Sequence, residues 1–310
     1  MTGIIYKSTG SWYSVKNIDG IEFQCRIKGK LRLDNVQSTN PIAVGDTVEF
    51  DPESGTDSRT GIITKVFERK NYILRKSVNL SKQTQILAAN IDILFLVITL
   101  KNPITTTNFI DRFLIASNAY SIDTILLFNK MDSYNKDEIA QLDKLINLYE
   151  NIGYKCIKVS AIKSLNIKKI VSLIKDKTIM FGGHSGTGKS SIINCINPEL
   201  KLKIGDLSSQ HLQGKHTTTH AELFDIDFGA RIIDTPGIKG FGIINFRKNE
   251  IGDFFPEFFQ NKNKCKFNNC LHIDEPNCFI KKLVSMNKID ISRYKNYKQI
   301  IMEDDLKYRQ

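Results

Sequence analysis

The sequence predicts a multidomain chain: an N-terminal all-β barrel of the OB type, a central doubly wound α/β domain, and a small α-helical domain at the C-terminus. Three observations carry this expectation. Short runs of alternating polar and apolar residues fill positions 1–70. Between 71 and 240, continuous apolar runs alternate with segments of helical period. From 241 to 310 a phenylalanine- and asparagine-rich stretch leads into a tight group of cysteines and two helical stretches, near 275–285 and 292–303. At 310 residues, 41% hydrophobic and 25% charged, the chain has the composition of a folded protein that buries a core.

The first unit reads as five strands, at 3–7, 11–16, 21–27, 44–50 and 61–67, punctuated by Thr9-Gly10, Asp19-Gly20, Gly45-Asp46 and Ser54-Gly55. Asp-Gly between two alternating runs is a hairpin signal, because both central positions of the favoured turn need a positive φ. Five short strands in about 70 residues suit a small OB barrel. Arg26, Lys28, Lys30 and Arg32 lie close in sequence to Trp12, Tyr13 and Phe23. Cations for a phosphate backbone and rings for bases are what single-stranded nucleic acid requires. The alternative is a solvated lysine-rich surface over core aromatics. The net charge of +11 also favours a polyanionic partner, although the abundance of Lys, Asn and Ile would equally follow from an AT-rich genome.

In the second unit, residues 91–100 form a continuous apolar run, as expected of a strand buried on both faces of a parallel sheet. Residues 108–119 have helical spacing and 125–128 form a second buried strand. Residues 137–151 form an amphipathic helix closed by Gly153. Residues 155–159 are a third strand, 167–174 a helix, 178–181 a fourth strand and 191–196 the start of another helix.

Between that last strand and helix stands Gly182-Gly183-His184-Ser185-Gly186-Thr187-Gly188-Lys189-Ser190. This matches the phosphate-binding loop of nucleoside triphosphatases in its required strand–loop–helix setting. Its glycines let backbone N–H groups ring the phosphates, and the helix N-terminus adds its positive end. Lys189 can reach the β/γ-phosphates and the Ser190 hydroxyl can ligate Mg²⁺. Asn129-Lys130-Met131-Asp132 follows the strand at 125–128, at the strand end where such sheets bind ligands. It is the guanine-reading pattern. The Asp132 carboxylate can accept from N1–H and the 2-amino group, and adenine would leave it unpaired. Asn129 can reach the carbonyl side of the ring, and the Lys130 stem can cover the base. Ser160-Ala161 occupies the place of the loop that contacts the guanine carbonyl. Asp234-Thr235-Pro236-Gly237 ends a strand at 231–233; Asp234 would hold a water on Mg²⁺ and the Gly237 N–H would sense the γ-phosphate. Among Thr217, Thr218 and Thr219, Thr218 is expected to ligate Mg²⁺ when GTP is bound. Ile238 stands where Ras-like enzymes place a water-orienting glutamine, so unassisted hydrolysis should be slow. His216 and His220 are candidates for ordering that water.

The order of these motifs is permuted. The guanine motifs precede the phosphate loop, which precedes the threonines and D-x-x-G. The cyclic order is kept and the starting point moved, so one sheet edge can still gather them.

Cys265, Cys270, His272 and Cys278 place three of six cysteines and one of five histidines in a short segment. Three thiolates and an imidazole suit a closed tetrahedral Zn²⁺ site. Cys25, Cys156 and Cys195 are isolated and read as ordinary core residues. The start of the chain lacks a basic segment followed by a long apolar run, and the most apolar stretch is too short to span a bilayer. The expectation is a cytoplasmic protein with reduced or metal-bound thiols and no membrane partner.

The permuted order, the preceding barrel and the trailing Cys–Cys–His–Cys cluster together resemble one family, the RsgA (YjeQ/EngC) small ribosomal subunit biogenesis GTPases. The likeness covers essentially the whole chain. It includes residues 183–190 with Asn194 following, residues 85–92 entering the first strand, Val44-Gly45-Asp46 in the barrel, and the cysteine spacing. The resemblance implies an OB domain (1–70), a circularly permuted GTPase domain (71–240) and a zinc domain (241–310). It also implies GTP hydrolysis to GDP and phosphate, and binding to rRNA near the decoding region of the small subunit late in its maturation, with the subunit stimulating turnover. A monomer is expected. His184 and Thr187 read as variable positions of the phosphate loop. Two other readings stay open: a translational or signalling GTPase with a protein partner, and an RNA-binding module whose nucleotide site is only structural.

Overall fold

A computed structural model describes residues 1–27, 41–53, 59–76, 84–200, 221–234 and 246–302. Lys28, Lys30, Arg32 and the Ser54-Gly55 turn lie outside the described residues.

Strands β1 (Thr2–Thr9), β2 (Trp12–Asn17), β3 (Glu22–Ile27), β4 (Thr47–Pro52) and β5 (Thr60–Val66) follow one another around a closed barrel. The order is β1-β2-β3-β5-β4, and β4 pairs back onto β1. Alternation supplies the core: in β4, Val48 and Phe50 are buried while Glu49 is exposed. Val48 and Phe50 join Ile5, Val15, Cys25 and Ile63 inside. Tyr13 belongs to this core as well, 2% exposed, and Phe23 packs against Phe50 at 5.1 Å. Of the three aromatics expected on an RNA-facing surface, Trp12 meets a cation there, with the Arg26 guanidinium 3.9 Å from its ring centre. The strand expected from residue 44 starts at Thr47. Gly45 turns the chain at φ +89, and a side chain on it would lie 2.2 Å from the Ala89 carbonyl. Next to it the buried Asp46 carboxylate accepts from the Arg69 guanidinium at 2.6 and 2.7 Å and from the Ala43 N–H at 2.8 Å. The Val44-Gly45-Asp46 sequence is therefore a joint between the barrel and the chain leaving it.

That chain forms a hairpin, β6 (Tyr72–Lys76) and β7 (Thr84–Ala89), which the sequence reading did not separate from the strand that follows. Beyond it come β8 (Ile93–Ile98), α1 (Thr107–Ala119), β9 (Thr124–Phe128), α2 (Lys136–Asn151), β10 (Lys155–Lys158), α3 (Ile167–Ile174), β11 (Thr178–Gly182), α4 (Lys189–Ile196), β12 (Glu222–Asp225) and β13 (Arg231–Asp234). The sheet order is β10-β9-β8-β11-β13-β12. All neighbours are parallel except β12, which lies antiparallel to β13. Every residue of β8 is buried, since helices cover both faces. Leu94, Leu96 and Ile98 pack with residues of α1 and α2 on one face, and Phe95 and Val97 with residues of α3 and α4 on the other. α2 opens on a reciprocal cap between Asn135 and Glu138, which satisfies two otherwise orphan N–H groups. β12, unforeseen from sequence, pairs with β1 through Lys7 and Glu222. Barrel and α/β unit thus share one continuous 11-stranded sheet.

The C-terminal unit contains α5 (Lys248–Ile251), α6 (Pro256–Phe259), α7 (Phe279–Ser285) and α8 (Ile291–Met302). The helix expected from 275 starts at Phe279. The preceding turn is held instead by the Glu275 carboxylate, which accepts the N–H groups of Leu271 (2.6 Å) and Ile273 (3.0 Å). The unit docks through Arg293, which is 1% exposed. Its guanidinium donates to Glu257 at 2.8 and 3.1 Å and to Asp111 of α1 at 2.5 Å. Asn296 and Tyr149 donate to the same Asp111 carboxylate. A buried charge is tolerated when its lone pairs are satisfied in this way. Among the described residues no helix is long and apolar enough to cross a membrane.

Candidate nucleotide and metal sites

Parallel strands place the segments that follow them at one edge of the sheet. Residues 129–132 leave β9, 160–161 leave β10, 183–188 leave β11, and Asp234 ends β13. The guanine motif, the Ser-Ala loop, the phosphate loop and the D-x-x-G carboxylate therefore share that edge despite their permuted order.

The phosphate loop closes on α4 with glycines in backbone conformations that other residues rarely adopt. Gly183 stands at φ +130 and Gly188 at φ +97. A side chain at Gly183 would lie 2.5 Å from the Val97 carbonyl, and one at Gly188 would lie 2.3 Å from the Asn129 amide. Gly182, in β11, lies directly over the Phe113 ring of α1. The Lys189 ammonium donates to the carbonyls of Gly183 (2.8 Å) and His184 (2.7 Å). It carries three donors, so a phosphate oxygen can share it with these carbonyls. Burial pushes the Lys189 ammonium down to about 8, partly offset by Asp234. An adjacent triphosphate would favour the charged form. Ser190 is buried at the first turn of α4. The His184 ring lies 3.9 Å from the Phe109 ring of α1. Ser185 and Gly186 complete the loop, where Gly186 has φ +81.

Asn129 ties three loops together. Its side chain, 2% exposed, donates to the Thr187 carbonyl at 2.8 Å and accepts from the Ala161 N–H at 3.4 Å. Here it braces the phosphate loop against the guanine motif rather than reaching out toward a base. Thr187 is fully buried, and its hydroxyl donates to the His184 carbonyl at 2.9 Å. This position of the loop thus carries a packing role that the motif by itself does not state. Asp132 is exposed. One of its carboxylate oxygens accepts from the Ser160 hydroxyl, which itself accepts the Lys163 N–H at 3.1 Å. Lys130 adopts φ +68 and its ammonium reaches the Asn102 carbonyl. Met131 anchors the motif by its N–H to the Val159 carbonyl at 3.2 Å, with its side chain against the core.

Asp234 ends β13 near Lys189. Burial, then the neighbouring Glu222 carboxylate, push Asp234 up to about 6, and Lys189 opposes them. The Ser190 hydroxyl and the Asp234 carboxylate are hard oxygen donors of the type Mg²⁺ selects, completed by phosphate oxygens and water. The remaining candidates, Thr217, Thr218, Thr219, His216, His220, Gly237 and Ile238, lie outside the described residues.

In the C-terminal unit the sulfur atoms of Cys265, Cys270 and Cys278 and a ring nitrogen of His272 all lie within 4.8 Å of one another. Cys265 Sγ is 3.6 Å from His272 Nδ1 and 3.9 Å from Cys278 Sγ, and His272 Nδ1 is 3.4 Å from Cys278 Sγ. Four ligands about 2.0–2.3 Å from a tetrahedral zinc stand roughly 3.3–3.8 Å apart, so these separations fit such an ion. The backbone around His272 is fixed from α8: Tyr294 donates to the His272 carbonyl at 2.8 Å and Tyr297 to that of Leu271 at 2.7 Å.

Comparison with known proteins agrees with this geometry. The family model described as RsgA GTPase matches residues 66–244, and that described as RsgA N-terminal domain matches 2–63. A protein of Christiangramia forsetii named small ribosomal subunit biogenesis GTPase RsgA is 56% identical over 309 residues, covering 100% of this chain and 98% of its own. One of the same name from Flavobacterium psychrophilum is 54% identical over 100% of this chain and 95% of its own. Among solved structures, YjeQ from Thermotoga maritima superposes with a TM-score of 0.78 at 32% identity, covering 97% of this chain and 96% of its own. YloQ, described as a circularly permuted GTPase, gives 0.74 at 28% identity, covering 97% and 93%.

Proposed function

The chain belongs to the RsgA family of GTPases and is a GTP hydrolase, and from that premise we propose that it acts in late maturation of the small ribosomal subunit. The proposed partners are GTP, the subunit and its rRNA near the decoding region, engaged by a cytoplasmic monomer with no membrane role. We read the chain as an RNA-binding OB unit (1–70), a permuted GTPase unit (71–240) and a zinc unit (241–310).

The observation that carries the site assignment is the convergence of four sequence-distant segments on one sheet edge, with Asn129 bridging three of them. In the proposed cycle Asp132 selects guanine, with Ser160-Ala161 beside it. Lys189 and the loop N–H groups offset phosphate charge. Ser190 and Thr218 would ligate Mg²⁺ and Asp234 would hold a water on it; when bound, the ion would stabilise the charge that develops on the phosphoryl oxygens. Gly237 would report the γ-phosphate to the C-terminal unit. The donor set of Cys265, Cys270, His272 and Cys278 suits zinc and leaves no ligand position for water, so the ion is assigned to folding rather than chemistry.

The test is GTP turnover with and without purified small ribosomal subunits. Stimulation of at least about tenfold is expected, abolished in Lys189→Ala. Stimulation by soluble protein fractions and none by subunits would favour a translational or signalling GTPase instead.

A further inference from the structure

One row of charges crosses the junction between barrel and α/β unit. Lys7 in β1 lies directly opposite Glu222 in β12, and Glu222 lies directly opposite Asp234 in β13. Residues directly opposite in adjacent antiparallel strands point to the same face, so the three side chains form one line. That face is the one α4 covers, because Ile232, two residues before Asp234, packs with Ile192 and Ile193. The Lys7 ammonium is 3.2 Å from the Glu222 carboxylate, with both partly exposed. At the inner end Asp234 interacts with Lys189 of the phosphate loop. The row therefore reads plus, minus, minus from the barrel inward, and Lys189 at the start of α4 acts electrostatically on its last carboxylate.

Two carboxylates side by side deepen the negative potential where a cation would sit, and a lysine beyond them offsets it. We propose that Lys7 and Glu222 are positioning residues for the Mg²⁺ that accompanies GTP, acting through Asp234, so that the barrel's first strand sets the charge at the catalytic edge. The inference rests on the assignment of Asp234 to that ion. It makes the barrel an electrostatic part of the nucleotide site, beyond any role in binding RNA.

The two ends of the Lys7–Glu222 pair must then shift Mg²⁺ affinity in opposite directions, which loss of a structural contact would not do. The experiment titrates Mg²⁺ at low ionic strength into full-length protein with a fluorescent, non-hydrolysable GTP analogue, reading the half-saturating concentration. Glu222→Gln is expected to raise it by about three- to tenfold and Lys7→Met to lower it by a similar factor. The double variant should return to within about twofold of the unmodified protein. Added salt should shrink each shift. Lys16→Met is the control. It breaks the neighbouring Lys16–Asp225 pair of the same junction, which lies on the opposite face because Asp225 is an odd number of residues from Glu222, and should leave the Mg²⁺ response unmoved. Shifts of the same sign in Lys7→Met and Glu222→Gln, or none in either, would overturn the proposal while leaving the site assignment standing. Asp234→Asn retaining an unmodified Mg²⁺ response would overturn both.

Discussion

In the proposed site, one side chain selects the nucleotide and another aligns the loops that would hold it. Asp132 projects from an exposed turn and shares one oxygen with the Ser160 hydroxyl, leaving acceptor capacity for a base edge. An amide at that position presents a donor where guanine also donates. Asp132→Asn should therefore lose preference for GTP over ATP by roughly a hundredfold or more. Competition of the two nucleotides for a labelled GTP analogue measures it directly, and equal binding by the unmodified protein would sink the assignment. Asn129 works differently. Its amide donates to Thr187 and accepts from Ala161, which aligns the loops.

At the scale of elements, the phosphate loop and the turn after α2 make a matched pair. Gly188 and Gly153 have φ of +97 and +98, a conformation that costs a non-glycine residue about 1–3 kcal/mol. Around Gly153 a side chain would meet nothing within 4 Å, whereas at Gly188 it would collide with the Asn129 amide at 2.3 Å. Both Gly153→Ala and Gly188→Ala should lower the unfolding midpoint. Only Gly188→Ala should also weaken GTP binding, by at least about tenfold, because the clash pushes apart the loops that Asn129 joins. Thermal unfolding paired with nucleotide titration separates the two effects, and equal GTP affinities in the two variants would contradict it.

The molecule as a whole joins three units by two unlike connections. The barrel adds its first strand to the edge of the α/β sheet, and the C-terminal unit plants Arg293 against Asp111 of α1. That same helix carries Phe113 beneath Gly182 and Phe109 beside His184. Removing a metal ligand from a closed site removes folding energy from the small unit built on it. If the cluster holds zinc as proposed, Cys270→Ala should therefore show less bound zinc by elemental analysis than the unmodified protein and lose stimulation by small ribosomal subunits. GTP affinity should stay within about threefold, because the proposed nucleotide residues lie on other elements. Full stimulation in a variant shown to be metal-free would refute the proposed role of the ion.

Whatever is local was legible along the chain. Apolar runs marked β8, β9 and β11 because a strand buried on both faces has no polar alternation to disguise it. The spacing of glycines, lysine and serine marked the phosphate loop, and four metal-ligating side chains within a short segment marked the cysteine–histidine cluster. Tertiary structure decided whatever depends on partners distant in the chain. β12 is four residues long and gains strand geometry from β13 and β1 on either side, so it carried no period to read. Tyr13 and Trp12 are neighbours in sequence, and only barrel closure sends one into the core and leaves the other to Arg26. Asp111 looks like any helix carboxylate until Arg293, 182 residues later, arrives beside it. The role of Thr187 was not legible because its carbonyl's bond joins it to Asn129, 58 residues earlier in the chain. A backbone pattern records what a residue's own segment must do; a side chain's partner is fixed only when the sheet brings that partner alongside.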